Sequence, residues 1–365
     1  MRNPIALVDT HATWGGGQYQ VLELLRGLER HGMPSLLVAH EDGPLAARAR
    51  EAGLRVAGLP ARLANRWWPG GGARLGRLFA REGVGLIHAH DSRALTLAQR
   101  AARVHRVPVV LSRRVASPLG RNPLSRLKYA PRRLAAIAAT SGVVADMVRA
   151  AGYPASRTFV VESGTDVERL ASKPPDDDLW RWADGRPLVG SVGKLVRKKN
   201  WELLVRAASA LAGRGHDLRW VVAGDGAERS RLQALARSLG IADIVRFADD
   251  RRDPERVVKS LDVMFHPARR EGGSAIIRVA MLSRVPLVVA DAPAVVEAIG
   301  SHGLVVGADD VDGAARALER LLADEGERRR LVDGAELAAR ERFGIERMVR
   351  GTISVYDAVL GHRNA

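Results

Sequence analysis

Residues 188–200 read LVGSVGKLVRKKN, and residues 201–213 continue as WELLVRAASALAG. The first five residues are a short apolar run that breaks at Gly193. The second stretch carries Leu203, Leu204, Val205 and Leu211 at helical spacing. This reads as strand, tight turn, helix, with Lys194 and Lys199 framing the turn. The theme recurs at LRWVVAGDG (218–226) and at VMFHPARREGG (263–273), where apolar runs again end in glycine and charge. In parallel α/β sheets, ligands bind beyond the carboxyl ends of the strands. Lysines and glycine-freed amides gathered there suit a diphosphate, such as that of a nucleotide sugar.

Working outward, β-branched runs alternate with amphipathic stretches along the chain. Strands are expected at Ile5–Asp9, Ser35–Ala39, Arg55–Leu59, Gly85–His90, Pro108–Arg113, Ala135–Thr140 and Thr158–Glu162. The second half adds Leu188–Lys194, Leu218–Ala223, Ile244–Ala248, Val263–His266, Pro286–Ala290 and Leu304–Val306. Helical patterns lie between them, such as Gln18–His31 with its leucines on one side. This alternation predicts an α/β protein of two Rossmann-like domains with parallel sheets covered on both faces. The expected domains are 1–170 and 186–343. A linker is expected over 171–185, where Lys173-Pro174-Pro175-Asp176-Asp177-Asp178 shows no periodicity. A last helix within 344–365 either stays with the second domain or returns to the first.

The 365 residues and 46% apolar content are enough for two cores. With no cysteine, disulfides, thiolate metal sites and a cysteine nucleophile are excluded, which fits a reducing compartment. The opening MRNPIALVDT has no signal-peptide pattern, and no apolar run nears the ~18 residues of a membrane span. A cytoplasmic protein is expected, at most peripheral on the inner membrane face. Net charge is +16, and Ser92–Ala145 has no acidic residue but eleven basic ones. Such a field attracts phosphates or an anionic membrane surface. Arg66-Trp67-Trp68-Pro69, the helix Ala73–Arg81 and the basic stretch Arg121–Arg133 are the expected membrane-facing features. Nucleic acid is disfavoured, because few aromatics are interleaved with the basic residues.

Four further motifs carry chemistry. Trp14-Gly15-Gly16-Gly17 follows the first strand and opens a helix, where free amides and the dipole favour an anion; a plain tight turn is the alternative. It is not the dinucleotide fingerprint, since Gln20 stands where a third glycine belongs. His88 and His90 end the fourth strand on one face, and Asp91-Ser92 then signals a helix start. Without carboxylate partners these two histidines are an incomplete metal set, so His90 reads as a ligand contact and no metal is expected. Lys194 and Lys199 are placed to neutralise phosphates, or are simply solvated. Glu271-Gly272-Gly273-Ser274 precedes the helix Ala275–Leu282, which Ser274 is expected to cap. Glu271 is then either a sugar-hydroxyl acceptor or a surface acid paired with Arg269 or Arg270.

As an ordered ensemble these segments resemble the retaining glycosyltransferases of the GT-B fold, family 4, over nearly the whole chain. GLIHAHDSRALTLA and LSRRVASPLGRNPLSRLKYAPRRL are similar to bacterial envelope-polysaccharide members. The resemblance implies two domains facing each other across a deep cleft, the N-terminal one for the acceptor and the C-terminal one for the nucleotide sugar. It implies that Gly16 and Gly17 approach the donor diphosphate, that His90 and Glu271 meet the sugar, and that Lys194 and Lys199 meet the phosphates. Gly272, Ser274 and Ala275 would supply amides. His90, Glu271 and Lys199 are thus the expected catalytic residues, with no cofactor and no metal. The expected acceptor is a lipopolysaccharide or lipid-linked glycan.

One position departs from the family. The second glutamate of its Glu-x7-Glu motif, which grips the nucleotide ribose, falls on Val279. Losing that acceptor costs on the order of 1.5–3 kcal/mol. Arg278 is rotated about 100° from it on the helix. A relative without transferase activity, serving as a binding subunit, and a nucleotide-sugar epimerase are the alternatives this position keeps open.

Overall fold

The computed structural model describes residues 3–60, 70–116, 119, 127–249 and 253–361. The chain divides into two compact units. The first holds the chain up to Gly164 and again from Ile345; the second is Thr165–Gly344.

The first unit is built on seven parallel strands: β1 Ile5–Val8, β2 Ser35–His40, β3 Val56–Leu59, β4 Leu86–Ala89, β5 Val109–Arg113, β6 Ala136–Ala139 and β7 Thr158–Val160. Their order is β3-β2-β1-β4-β5-β6-β7. The order reverses between β1 and β4, which pair in register from Ile5↔Leu86 to Val8↔Ala89. Both of these central strands are buried throughout, because helices cover the two faces of the sheet. The helix Gly16–Arg30 buries Val21, Leu22, Leu24, Leu25 and Leu28. Against it packs the last helix, Ile345–Gly361, which buries Met348, Val349, Val355 and Tyr356. At this crossing a Cβ on Gly27 would stand 2.2 Å from Val349 Cγ2, so only glycine allows the approach. Each large side chain buried here contributes roughly 1.5–3 kcal/mol.

The second unit has six parallel strands: β8 Leu188–Val192, β9 Arg219–Ala223, β10 Val245–Ala248, β11 Val263–His266, β12 Leu287–Ala290 and β13 Leu304–Val306. The order β10-β9-β8-β11-β12-β13 places its reversal between β8 and β11. Trp220, Phe265 and Val288 fill one face, and Val221, Met264 and Val289 the other.

The expected linker is folded. Residues 171–185 include the helix Asp177–Ala183, whose Leu179 and Ala183 are buried in the second unit's core. Asp176 caps this helix by accepting from the amides of Asp178 and Leu179, and its own amide donates to Ser260 Oγ at 2.7 Å. The acids that suggest a solvated connection thus include a helix cap. Gln20 is also explained: its amide clamps the Gly164 backbone, donating to the carbonyl at 2.7 Å and accepting from the N–H at 2.9 Å. Among the described residues no helix is long and apolar enough to cross a membrane. Arg66-Trp67-Trp68-Pro69 and the start of the stretch Arg121–Arg133 lie outside the described residues.

Candidate functional site

Each sheet has one point where its strand order reverses, and chemistry-bearing residues gather beyond the strands at both. In the first unit the loops after β1 and β4 are joined by carboxylates. Asp9 accepts from Gln18 Nε2 at 3.1 and 3.2 Å and from the His11 amide at 2.9 Å. Asp91 caps the helix Ser92–His105 through the amides of Arg93 (2.7 Å) and Ala94 (2.8 Å). It also accepts from the Thr10 amide at 2.7 Å and from the Thr10 hydroxyl. His11 Nδ1 stands 3.4 Å from Asp9 and 3.6 Å from Asp91. Its hydrogen bond to Asp9 raises its pKa against the opposing effect of burial. Among the described residues this trio brings metal-ligand atoms within 4.8 Å of one another. All four carboxylate oxygens already accept hydrogen bonds from the chain. The trio therefore ties two loops together.

His90 follows β4 and is buried. Its backbone N–H donates to Val8 at 2.9 Å, its ring lies 4.1 Å from the ring of His88, and its Nδ1 is 3.1 Å from Nη2 of Arg114. Burial, then the neighbouring His88 and Arg114, hold its pKa well below the ordinary histidine value, so the ring is neutral. His88 is bonded on both nitrogens, to Tyr356 Oη at 2.6 Å and to Ser112 Oγ at 2.9 Å. Burial and the Arg114 charge push its pKa down to about 3. Gly16 is exposed. A Cβ added at Gly17 would meet nothing nearer than Arg114 Nη1, at 3.8 Å. The chain's own packing therefore does not demand this glycine, and the space beside it is open to a ligand.

In the second unit Lys194 is exposed just past β8, and Lys199 closes a short turn, Arg197–Lys199. The turn is held by close backbone contact: a Cβ on Gly224 would lie 2.1 Å from the Gly193 carbonyl, and one on Gly226 2.4 Å from that of Leu195. Lys199 forms an ion pair with Glu271, and both side chains are largely buried. The Arg269 amide donates to Lys198 at 3.1 Å, joining the loops after β8 and β11. His266, the last residue of β11, places Nε2 3.4 Å from Glu271 and Nδ1 3.5 Å from Ser191 Oγ. Burial alone would raise the Glu271 pKa; His266 and Lys199 outweigh it and bring it down to about 2. Glu271 is therefore a carboxylate at any working pH.

One alternative reading and one expectation need correction here. Arg269 does not pair with Glu271 but with Asp309, with Nη1 3.1 Å from the carboxylate. Ser274 occupies the cap position of Ala275–Leu282, yet its side chain makes no capping bond. Ser274 and Gly272 are buried, while Gly273 and Ala275 at the helix start are exposed. Val279 is half-buried and leans on the second unit's core. Arg278 is buried with Nε 3.5 Å from Thr165 Oγ1 and its guanidinium over Phe343, so it does not stand in for the missing glutamate.

The sequence reading finds Asp91 as a helix cap but not its bond to Thr10, and it misses Asp9, Arg114 and His266. Asp9, Arg114 and His266 each close or follow a strand, which is the available signal; Arg114 otherwise appears only among the eleven basic residues of Ser92–Ala145.

Residues 172–337 match the family model for glycosyl transferases group 1, and residues 14–169 that for Glycosyltransferase Family 4. The chain is 30% identical over 366 residues to a D-inositol 3-phosphate glycosyltransferase of Salinispora tropica, covering 93% of this chain and 72% of that one. It is 28% identical to the 2-deoxystreptamine glucosyltransferase of Streptomyces kanamyceticus, covering 64% of this chain and 63% of that relative. A lipopolysaccharide core biosynthesis mannosyltransferase of Rhizobium leguminosarum is 27% identical, with 75% and 78% covered. Among solved structures, Anabaena HepE in complex with UDP and glucose superposes with a TM-score of 0.83 at 20% identity, covering 97% of this chain and 99% of that one.

Proposed function

The chain belongs to the family 4 glycosyltransferases of the GT-B fold, and on that premise we propose that it moves a sugar from a nucleotide-sugar donor to a hydroxyl of a cell-envelope glycan. The observation that carries the donor reading is the Lys199–Glu271 pair at the reversal between β8 and β11, beside a helix start without a side-chain cap. A cation and first-turn amides are complementary to a diphosphate and stabilise it as it departs. Lys199 and Lys194 take the phosphates, together with amides from Gly272 to Ala275. Glu271 accepts from sugar hydroxyls, and it is already ionised and paired with Lys199. In the first unit, His90 is assigned to the transferred sugar and the Gly16 and Gly17 amides to the diphosphate. The departing phosphate takes the acceptor proton, the anomeric configuration is retained, and no metal or cofactor is used. HepE, of the same fold, binds UDP and glucose, which supports a nucleotide-sugar donor.

The acceptor is assigned to lipopolysaccharide or a lipid-linked glycan at the cytoplasmic membrane face. The lipopolysaccharide core relative and the basic surface of the first unit support this. The helix Gly71–Arg81 buries Leu75 and Phe79 and exposes Arg74, Arg77 and Arg81. Its apolar side is used inside the protein, so it offers a membrane only charge. Flotation with anionic vesicles but not neutral ones is the expected result; equal behaviour with both removes the membrane part. Calorimetry against UDP-, GDP-, ADP- and CMP-sugars, followed by transfer and hydrolysis assays, tests the donor. Binding of none of them overturns the proposal, and binding without transfer or hydrolysis overturns its catalytic half.

A further inference from the structure

The contact between Arg114 and His90 determines where the histidine carries its proton. A guanidinium has five N–H donors and no acceptor. The nitrogen it meets, Nδ1 at 3.1 Å, therefore accepts. The ring is neutral, because it is buried beside a cation and a second imidazole. A neutral imidazole that accepts at Nδ1 bears its single hydrogen on Nε2. Nε2 of His90 is buried and has no hydrogen-bond partner among the described residues. A buried donor left unsatisfied is unfavourable, an arrangement expected where a ligand completes the bond. The surroundings hold the ring in place: the His88 ring packs against it, tilted by 39° with centroids 4.1 Å apart, and is itself fixed by Tyr356 and Ser112. Arg114 is in turn steadied by the charges of Asp9 and Asp91.

We propose that Arg114 is a positioning residue that locks His90 in the Nε2–H form, so that His90 donates a hydrogen bond to an oxygen of the transferred sugar and cannot accept a proton from it. The inference rests on the reading that His90 meets the sugar. It adds the direction of the bond and the residue that sets it.

Long-range proton–nitrogen correlation spectra of the full chain, labelled with nitrogen-15, read the tautomer directly. The His90 signals are assigned by their loss in His90→Gln. The expected spectrum shows His90 protonated at Nε2 alone in the parent, the same form in Arg114→Lys, and a mixture of forms in Arg114→Leu. A parent ring protonated at Nδ1 overturns the proposal, and that reading needs no variant of Arg114 to fold. In transfer assays His90→Gln, whose amide nitrogen stands near the Nε2 position, is expected to keep at least tenfold more kcat/KM than His90→Leu. If the spectrum shows Nε2–H but His90→Leu is as active as the parent, the sugar contact and the donor role fall, while Arg114's hold on the ring survives. The two failures are therefore distinguishable.

Discussion

Tyr356, in the last helix, holds its hydroxyl 2.6 Å from Nδ1 of His88 in the middle of the first unit's sheet. These two residues are 268 positions apart, and both are fully buried. The His88 ring in turn packs against that of His90, so the final helix helps to fix the ring assigned to the sugar. Removing the hydroxyl leaves a buried imidazole nitrogen without a partner. Tyr356→Phe is therefore expected to lower stability by about 1–3 kcal/mol. Denaturant unfolding measures this; an unchanged midpoint would mean that the hydrogen bond contributes nothing net.

The same histidine makes the fold sensitive to acid. His88 has a folded pKa of about 3 against an ordinary value of 6.5. The folded state favours the neutral ring, so stability is complete above pH 6.5 and falls as pH drops toward 3. The loss is at most about 1.4 kcal/mol per pH unit from this group. His90 is shifted in the same direction and adds to the effect. The melting temperature is expected to fall between pH 6.5 and 4, and less steeply in His88→Gln, which has no titrating group at this position. Parallel profiles for the two proteins would assign the acid sensitivity elsewhere.

Glu271 and Lys199 neutralise each other, and each is assigned a different part of the donor, the sugar and the diphosphate respectively. Glu271→Gln frees Lys199 while weakening the grip on sugar hydroxyls. It is expected to bind the bare nucleoside diphosphate at least as tightly as the parent, yet to lose about tenfold or more in kcat/KM with the nucleotide sugar. Calorimetry and initial rates read the two effects separately. Equal losses in both would place Glu271 on the phosphates.

Val279 sits half-buried at the position where the family resemblance implies an acid, and Arg278 is held by Thr165 and Phe343. Val279→Glu is expected to raise nucleoside diphosphate affinity by roughly tenfold, the lower end of what an ionised acceptor to two hydroxyls contributes. Unchanged affinity in a folded variant would show that the nucleotide's ribose lies away from this helix.

Much of this architecture is legible in the sequence because its parallel strands are short apolar runs bounded by glycine, proline or charge. Trp201–Gly213 and Ala275–Leu282 form as read, since each begins at a turn and the apolar pattern of each runs to its last turn. Residues 171–185 mislead because a seven-residue helix is too short to show periodicity, and burial of Leu179 and Ala183 depends on a core assembled from elsewhere. Side-chain partnerships are the least legible. Arg114 meets His90 across 24 positions and Lys199 meets Glu271 across 72, distances at which spacing carries no information. Ser274 has the residue type and position of a cap, but its side chain makes no capping bond.

Lys199 and the loop before Ala275 are proposed to hold the donor diphosphate. The most direct test is calorimetric titration of the best-bound nucleotide sugar into the parent and into Lys199→Ala, with turnover measured at saturating acceptor. Expected is at least a tenfold loss of turnover together with weakened binding, the scale of one lost electrostatic contact to a departing group. A folded Lys199→Ala that binds and transfers like the parent would contradict this assignment.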